Sequence, residues 1–536
     1  LISSENKTIT FASGISGTDN GYNINIDGKG TIKLDSYVKN ANVTVNGNLL
    51  LSNNSNINNN NNHFTFNNGS SLSTINNKID KFNDGLITIN GDTNISIDID
   101  MNTGKGDYIG NLEIADGTKL NLSNIKALPN ITKNNLSVNI YDAIGVDSSK
   151  LNIDESNVKI LDIMTPIRRM SGSISNGIVS YTPSSNGWRN YNPSILATPV
   201  AAIAGTYLTQ LNSYDQAFMN MDMYMLMSYS ERQAMKFANK YAEAQNNDTR
   251  TDVSTPFNLG LTSKNSTDAW FRPFASFEKV GLRNGPKVSN SMYGSFFGGD
   301  SKLYSLPKGW DGMYSVYVGY NGSHQSYNGI SIYQNGVQLG FTGIAYKGNF
   351  FAGATVNVGA NIADASTFYG SDDFTMLMTG AALKTGYNFE MANGKFIIQP
   401  HVTVSYSFIN TFDYTNSAGV RIKSDPFNAI AVQPGVKLIG NLKHGWQPYA
   451  GISLIWNFLD DTKFKANDIS LPEMSIKPFI RYHIGVQKRI GERFTGFGQI
   501  FFNTLGRSGI GFSFGFKWSL GRTLPQKLPE PVYVHE

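Results

Sequence analysis

Short alternating stretches recur along residues 1 to about 105: YNINI (22–26), TIKLD (31–35), VTVNG (43–47), LITING (86–91) and ISIDID (95–100), separated by Asn- and Gly-rich turns. Alternation at period two predicts strands with one buried face. Recurrence at roughly 20 residues predicts stacked rungs, none able to bury its apolar face alone. The pattern is that of a β-solenoid, with a meander of hairpins as the alternative, because NG between alternating stretches is also a hairpin signal. The low-complexity run Asn53–Asn62 is either an Asn ladder on the solenoid turns or a surface loop. From 106 to 196 the spacing loosens into longer strands. Residues 197–245 change character: rich in Ala, Leu, Met, Gln, Glu and Lys, they predict the chain's one helix. Met219, Met221, Met223, Met225 and Met227 recur at strand period within it, but length and helix-forming flanks decide for helix.

From Asp268 to Ser519 the alternation is continuous. Ile510, Phe512, Phe514, Phe516 and Trp518 share one face, and Gly511, Ser513, Gly515, Lys517 and Ser519 the other. A soluble sandwich and a membrane barrel both alternate, so loop lengths must choose. Twelve strands are expected near 268–281, 290–304, 311–326, 335–347, 349–362, 373–390, 395–411, 427–441, 445–459, 474–488, 492–503 and 508–519. Connections after even strands are tight, whereas those after odd strands are expected to be mostly long and polar. An even strand count with short turns on one rim and long loops on the other is the signature of an outer-membrane barrel. Trp270, Trp310, Trp446 and Trp456, near strand ends, suit interfacial girdles.

Composition narrows the classes. Only 16% of residues are charged and 53 of 536 are glycine, below and above the averages for soluble domains. A net charge of +4 over this length argues against nucleic acid as a partner. Zero cysteine removes disulfides, thiolate metal sites and thiol catalysis. No apolar run is long enough for a membrane helix, which says nothing against strands. The chain opens at Leu1 without a charged-then-apolar start, which predicts a mature or truncated piece lacking its export signal.

Specific segments carry a family likeness. ISIDIDMNTGKGDYI (95–109) resembles the end of a β-helical passenger. AWFRPFASFEKVGLRNGPKVSNSMYGSFFGGDSKL (269–303) resembles the first strands of a translocator barrel, KPFIRYHIGVQKRIGERFTGFGQ (477–499) the late ones and GIGFSFGFKW (509–518) the terminal one. The whole chain thus resembles the monomeric (type Va) autotransporters. That likeness implies an all-β fold: a β-helical passenger end (1–105), an autochaperone-like junction (106–196), a pore-threading helical linker (197–262), a twelve-stranded outer-membrane barrel (263–520) and a periplasmic tail (521–536). It implies that the barrel translocates and anchors an adhesin-like surface passenger. Its partners would be outer-membrane lipid, the barrel assembly machinery, periplasmic chaperones and a host or cell-surface ligand. A porin-like channel, or an enzymatic passenger upstream of residue 1, are the alternatives. The family usually ends on an aromatic residue, whereas here Trp518 is followed by a Pro-rich tail.

Candidate chemistry is sparse, and neither a cofactor nor a metal is expected. GFSFG around Ser513 matches a nucleophile-elbow pattern but lies within a strand. His63, His324, His401, His444, His483 and His535 are scattered, without zinc-ligand spacing. DGKG (27–30) sits between short strands, and GGD (298–300) is unrepeated. In some autotransporters a linker Asn attacks its own backbone within the barrel, and Asn246-Asn247-Asp248 superficially resembles such a site, although it follows the expected helix. Arg272, Glu278, Arg481 and Gln487 share inward parity and are candidate pore-lining contacts to the helix.

Overall fold

The computed structural model describes residues 1–17, 22–57, 61–82, 85–131, 136–185, 187–233, 267–442, 445–458, 461–490 and 494–520. The chain divides into two units, one formed by residues 1–186 and 190–192 and the other by 187–189 and 193–536.

In the first unit, strands stack in parallel. Thr8–Phe11, Thr31–Leu34, Asn48–Leu51, Ser71–Ser73, Thr93–Asp100 and Leu120–Ala127 form one face, and Tyr22–Ile26, Ala41–Val45, His63–Phe66, Leu86–Ile89 and Leu112–Ile114 another. Register puts like on like. Ile32, Leu49, Leu72, Ile95 and Leu122 form one inward column, and Val43, Phe64, Ile87 and Leu112 a second. Burying these columns is the main stabilising term, because no single rung encloses a core. Polar residues stack outside, with Ser71 donating to Asn48 at 2.7 Å and Asn152 to Asn121 at 2.6 Å. Asn62, at the end of the Asn-rich run, is buried and turns a corner: its amide group accepts from the Ala41 N–H and donates to the Val38 carbonyl.

The parallel ladder does not stop at residue 105. It continues through Leu120–Ala127 to Lys159–Leu161. The expected boundary fell early because residues 100–111, which include the short strand Lys105–Gly106, lengthen one rung and interrupt the spacing. An antiparallel sheet of Leu136–Asn139, Ile163–Met164, Arg169–Ser175 and Ile178–Pro183 follows. Its Tyr181 is fully buried, with its hydroxyl between the Ala127 N–H and the Leu161 carbonyl. A second helix that the sequence did not announce, Ile140–Ile144, is capped by Asn139 and ended by Gly145 at φ 69°.

In the second unit the twelve strands are Asp268–Arg283, Lys287–Asp300, Trp310–Tyr327, Ile330–Lys347, Phe350–Thr367, Gly370–Tyr387, Phe396–Thr411, Phe427–Gly440, Trp446–Phe458, Phe479–Ile490, Phe494–Leu505 and Arg507–Ser519. Each pairs antiparallel with its neighbours, and the twelfth closes on the first, with Trp270 opposite Lys517 and Phe277 opposite Ile510. Closure leaves no unpaired edge, as a lipid environment demands. Val337, Leu339 and Phe341 face outward, whereas Gln334, Gln338 and Thr342 on the same strand are buried inside.

Two expectations change here. Only the connections after the seventh and ninth strands are long among those following odd strands; Asn328-Gly329 turns the third with both residues at positive φ, so the strands there run further than their polar ends suggest. Trp270 is buried and turned inward, its indole N–H donating to Asp300 at 3.0 Å, whereas Trp446 and Trp456 are exposed.

The predicted helix is shorter among the described residues. It runs from Pro193 to Met225 and contains a π-helical stretch at Ala201–Tyr207. Ser228 then starts a new turn in a capping box, accepting from the Glu231 N–H while Glu231 accepts from the Ser228 N–H. This box breaks the long helix where composition alone predicted continuity.

Candidate functional site: the occupied barrel lumen

The Pro193–Met225 helix is buried on all sides, as a helix enclosed by a barrel must be. This resolves the alternating methionines, because residues two apart on a helix face opposite walls. Met219 and Met223 pack with Phe497, while Met221 and Met225 join Phe218, Tyr346 and Phe351.

Polar wall residues grip the helix along its length. The Tyr327 hydroxyl donates to the Pro193 carbonyl at 2.8 Å, and Thr198 and Tyr414 share a 2.8 Å hydrogen bond. Gln334 holds the π-helical stretch, donating to the Ala201 carbonyl and accepting from the Thr206 hydroxyl, both at 3.0 Å. An i→i+5 turn leaves backbone groups to be satisfied from outside, and this wall amide supplies a partner. Lower down, Gln338 donates to Ser213 at 2.6 Å and the Tyr214 hydroxyl to the Tyr406 carbonyl at 2.7 Å.

Charge concentrates on about the last three turns. Asp222 accepts from Lys384 at 2.7 Å and Lys437 at 3.1 Å, and Arg481 pairs with Asp215 at 2.5 Å. Asn220 lies between Arg272 and Asp300, and Lys517 bridges Asp300 at 2.6 Å and Asp268 at 2.9 Å. Buried charges require partners of this kind, and removing one leaves the other uncompensated. The set fixes the helix against the wall and contains no arrangement of nucleophile and base. Among the described residues no group of three or more His, Asp or Glu side chains could hold a metal ion.

Three of the four candidate pore residues touch the helix. Arg272 donates to the Gln216 carbonyl at 2.7 Å, Arg481 to Asp215, and Gln487 to the Met223 carbonyl at 3.0 Å. Glu278 faces inward but is held by wall residues, Arg507 and Asn503. Asn246 and Asn247 lie outside the described residues. Ser513 is buried mid-strand opposite Gln499. His401 and His483 are buried in the lumen, His324 stacks on Tyr333, His63 belongs to the solenoid, and His444 and His535 lie outside the described residues.

Sequence reasoning missed Asp215, Asn220, Asp222, Lys384 and Lys437. A usable signal was present: Lys437 is the one charge of its strand, and Lys384 is the one charge of its strand away from the Asp372-Asp373 end, where membrane position forces a charge inward.

Residues 269–498 match the family model described as the autotransporter beta-domain. No curated protein matches the chain. Among solved structures, the chain is similar to the beta domain of the Bordetella autotransporter BrkA (18% identity, 47% of this chain and 99% of that one, TM-score 0.40). It is also similar to the transport unit of AIDA-I from Escherichia coli (17% identity, 53% and 96%, TM-score 0.43) and to the translocator domain of NalP from Neisseria meningitidis (11% identity, 47% and 88%, TM-score 0.40). The family match falls on the closed, helix-filled barrel, from the first strand into the eleventh. Residues 269–498 therefore carry an autotransporter beta-domain, a barrel of the outer membrane.

Proposed function

We propose that the barrel translocates the residues preceding the linker helix, is then plugged by that helix and anchors an adhesin-like stalk. The observation that carries this reading is the Pro193–Met225 helix, continuous in sequence with the solenoid end and pinned inside the barrel by ion pairs at Asp215 and Asp222. The solenoid supports a stalk because its polar outer columns are already hydrogen bonded to one another. The antiparallel sheet after it (Leu136–Pro183) supports a folding-nucleus role for the junction, since it ends the stack with a firm template. Outer-membrane lipid, the assembly machinery, periplasmic chaperones and a surface ligand remain the partners this reading requires.

The test is single-channel recording from the purified chain in planar bilayers, with and without residues 193–225. Deletion is expected to convert a quiet barrel into a steadily conducting one. Unchanged conductance would overturn the plug. Protease shaving of intact cells is expected to remove residues 1 to about 190 and spare the barrel.

A further inference from the structure

The two long connections, after the seventh and ninth strands, fold together. Tyr414–Thr415, Arg421–Ser424, Phe464–Ala466 and Ile469–Ser470 form a four-stranded antiparallel sheet at the barrel rim. Ile422, Phe464 and Ala466 are buried on one side of it. On the opposite side, register sets Lys423 directly against Lys465, and the Asp425 N–H bonded to the Lys463 carbonyl places Asp425 beside Lys463. Directly opposed like charges destabilise a ladder. Asp413, at the edge, is taken by Arg421 at 3.4 Å. Among the described residues none of the three lysines has a carboxylate within 4.0 Å.

These lysines line a cavity of about 350 Å³, together with Asp425, Glu473 and Asp413. That volume suits one sugar unit. We propose that this cavity binds a monosaccharide unit bearing a phosphate or carboxylate. The anion would lie between Lys423 and Lys465 and relieve their repulsion, with Lys463 adding a third ammonium. Asp425 and Glu473 would accept hydrogen bonds from the sugar hydroxyls, which explains carboxylates in a cavity built to hold an anion. The assignment is independent of translocation, since no pore residue takes part.

The test is calorimetric titration of the intact chain in neutral detergent with glucose 6-phosphate, glucose and inorganic phosphate. Glucose 6-phosphate is expected to bind at least tenfold more tightly than either of the others, and K423S/K465S to weaken it at least tenfold. The exposed Lys395→Ser on the opposite rim is expected to leave it unchanged. Equal binding of phosphate and glucose 6-phosphate would overturn the sugar assignment, and an unaffected double variant would overturn the site. Repeating the titration in vesicles with and without monophosphoryl lipid A distinguishes the ligand's source. If that lipid blocks glucose 6-phosphate in the wild type, the site takes a membrane glycolipid; if the titration persists, it takes a soluble sugar. The variant's melting profile, expected to match the wild type, separates lost binding from lost folding.

Discussion

Asp222 of the linker helix and Lys437 of the eighth barrel strand meet at 3.1 Å with both side chains almost wholly enclosed, and Lys384 reaches the same carboxylate from the sixth strand. One helix residue therefore neutralises two wall cations. Asp222→Ala leaves both ammoniums buried without a counter-charge, which costs about 3–5 kcal/mol. The expected outcome is frequent opening events in bilayer recordings and a lower temperature for loss of the compact band on electrophoresis. D222A/K384M/K437M, which removes the stranded charges, is expected to recover much of the thermal loss. If D222A records and melts like the wild type, the triad does not hold the helix.

The barrel was legible because its alternation is enforced by a polar, helix-filled lumen on one side and lipid on the other. Val337, Leu339 and Phe341 have nowhere to point but outward once Gln334 and Gln338 point inward. The helix was legible in type but not in extent, because its end depends on the Ser228–Glu231 capping box. Inward parity found Arg272, Arg481 and Gln487. It could not find Asp215 or Asp222, because a helix buried on every face shows no amphipathic stripe to orient them. The solenoid's end was obscured by the insertion within its last rungs, a change of loop length that leaves the stacking intact.

The solenoid carries its own buried charge. Asp80, Asp98 and Asp107 are fully enclosed where the turn at 74–82 covers the strand Thr93–Asp100. Asp98 accepts the Asn76 and Asn77 N–H groups, and Asp107 accepts those of Asp80 and Asp98. Burial pushes the Asp98 carboxyl up to about 6 and raises Asp80 and Asp107 as well, with Lys78 and Lys126 opposing at Asp80 and Asp98 respectively. A carboxyl held above its unfolded value binds its proton more tightly when folded. Asp98 thus adds stability as pH falls from about 6 toward the ordinary 3.8 and loses it as pH rises. Hydrogen-exchange protection at 74–82 in the intact chain, corrected for intrinsic exchange, is expected to be greater at pH 5 than at pH 7.5. Asp98→Asn keeps an acceptor for the two N–H groups and removes the charge, so it should raise protection at pH 7.5 and flatten the pH dependence. Lower protection at pH 7.5 in that variant would refute the buried-charge account.

The inward glycines of the terminal strand do more than clear the pore. A Cβ on Gly511 would lie 2.2 Å from the Phe501 ring, and one on Gly515 2.7 Å from Phe497, so these glycines seat aromatic rings from the neighbouring strand. Phe501 in turn stacks under the Arg481 guanidinium at 4.6 Å, and Arg481 holds Asp215 of the helix. Gly511→Val therefore acts at a distance: displacing Phe501 removes the platform that aims Arg481. Overpacking of this kind costs about 1–3 kcal/mol. The expected outcome is a barrel that still assembles but melts earlier and opens more often, with F501A added to G511V recovering the melting temperature but not the quiet pore, because the cation loses its aromatic support. Normal pore behaviour in the double variant would show that Phe501 fills space without positioning Arg481.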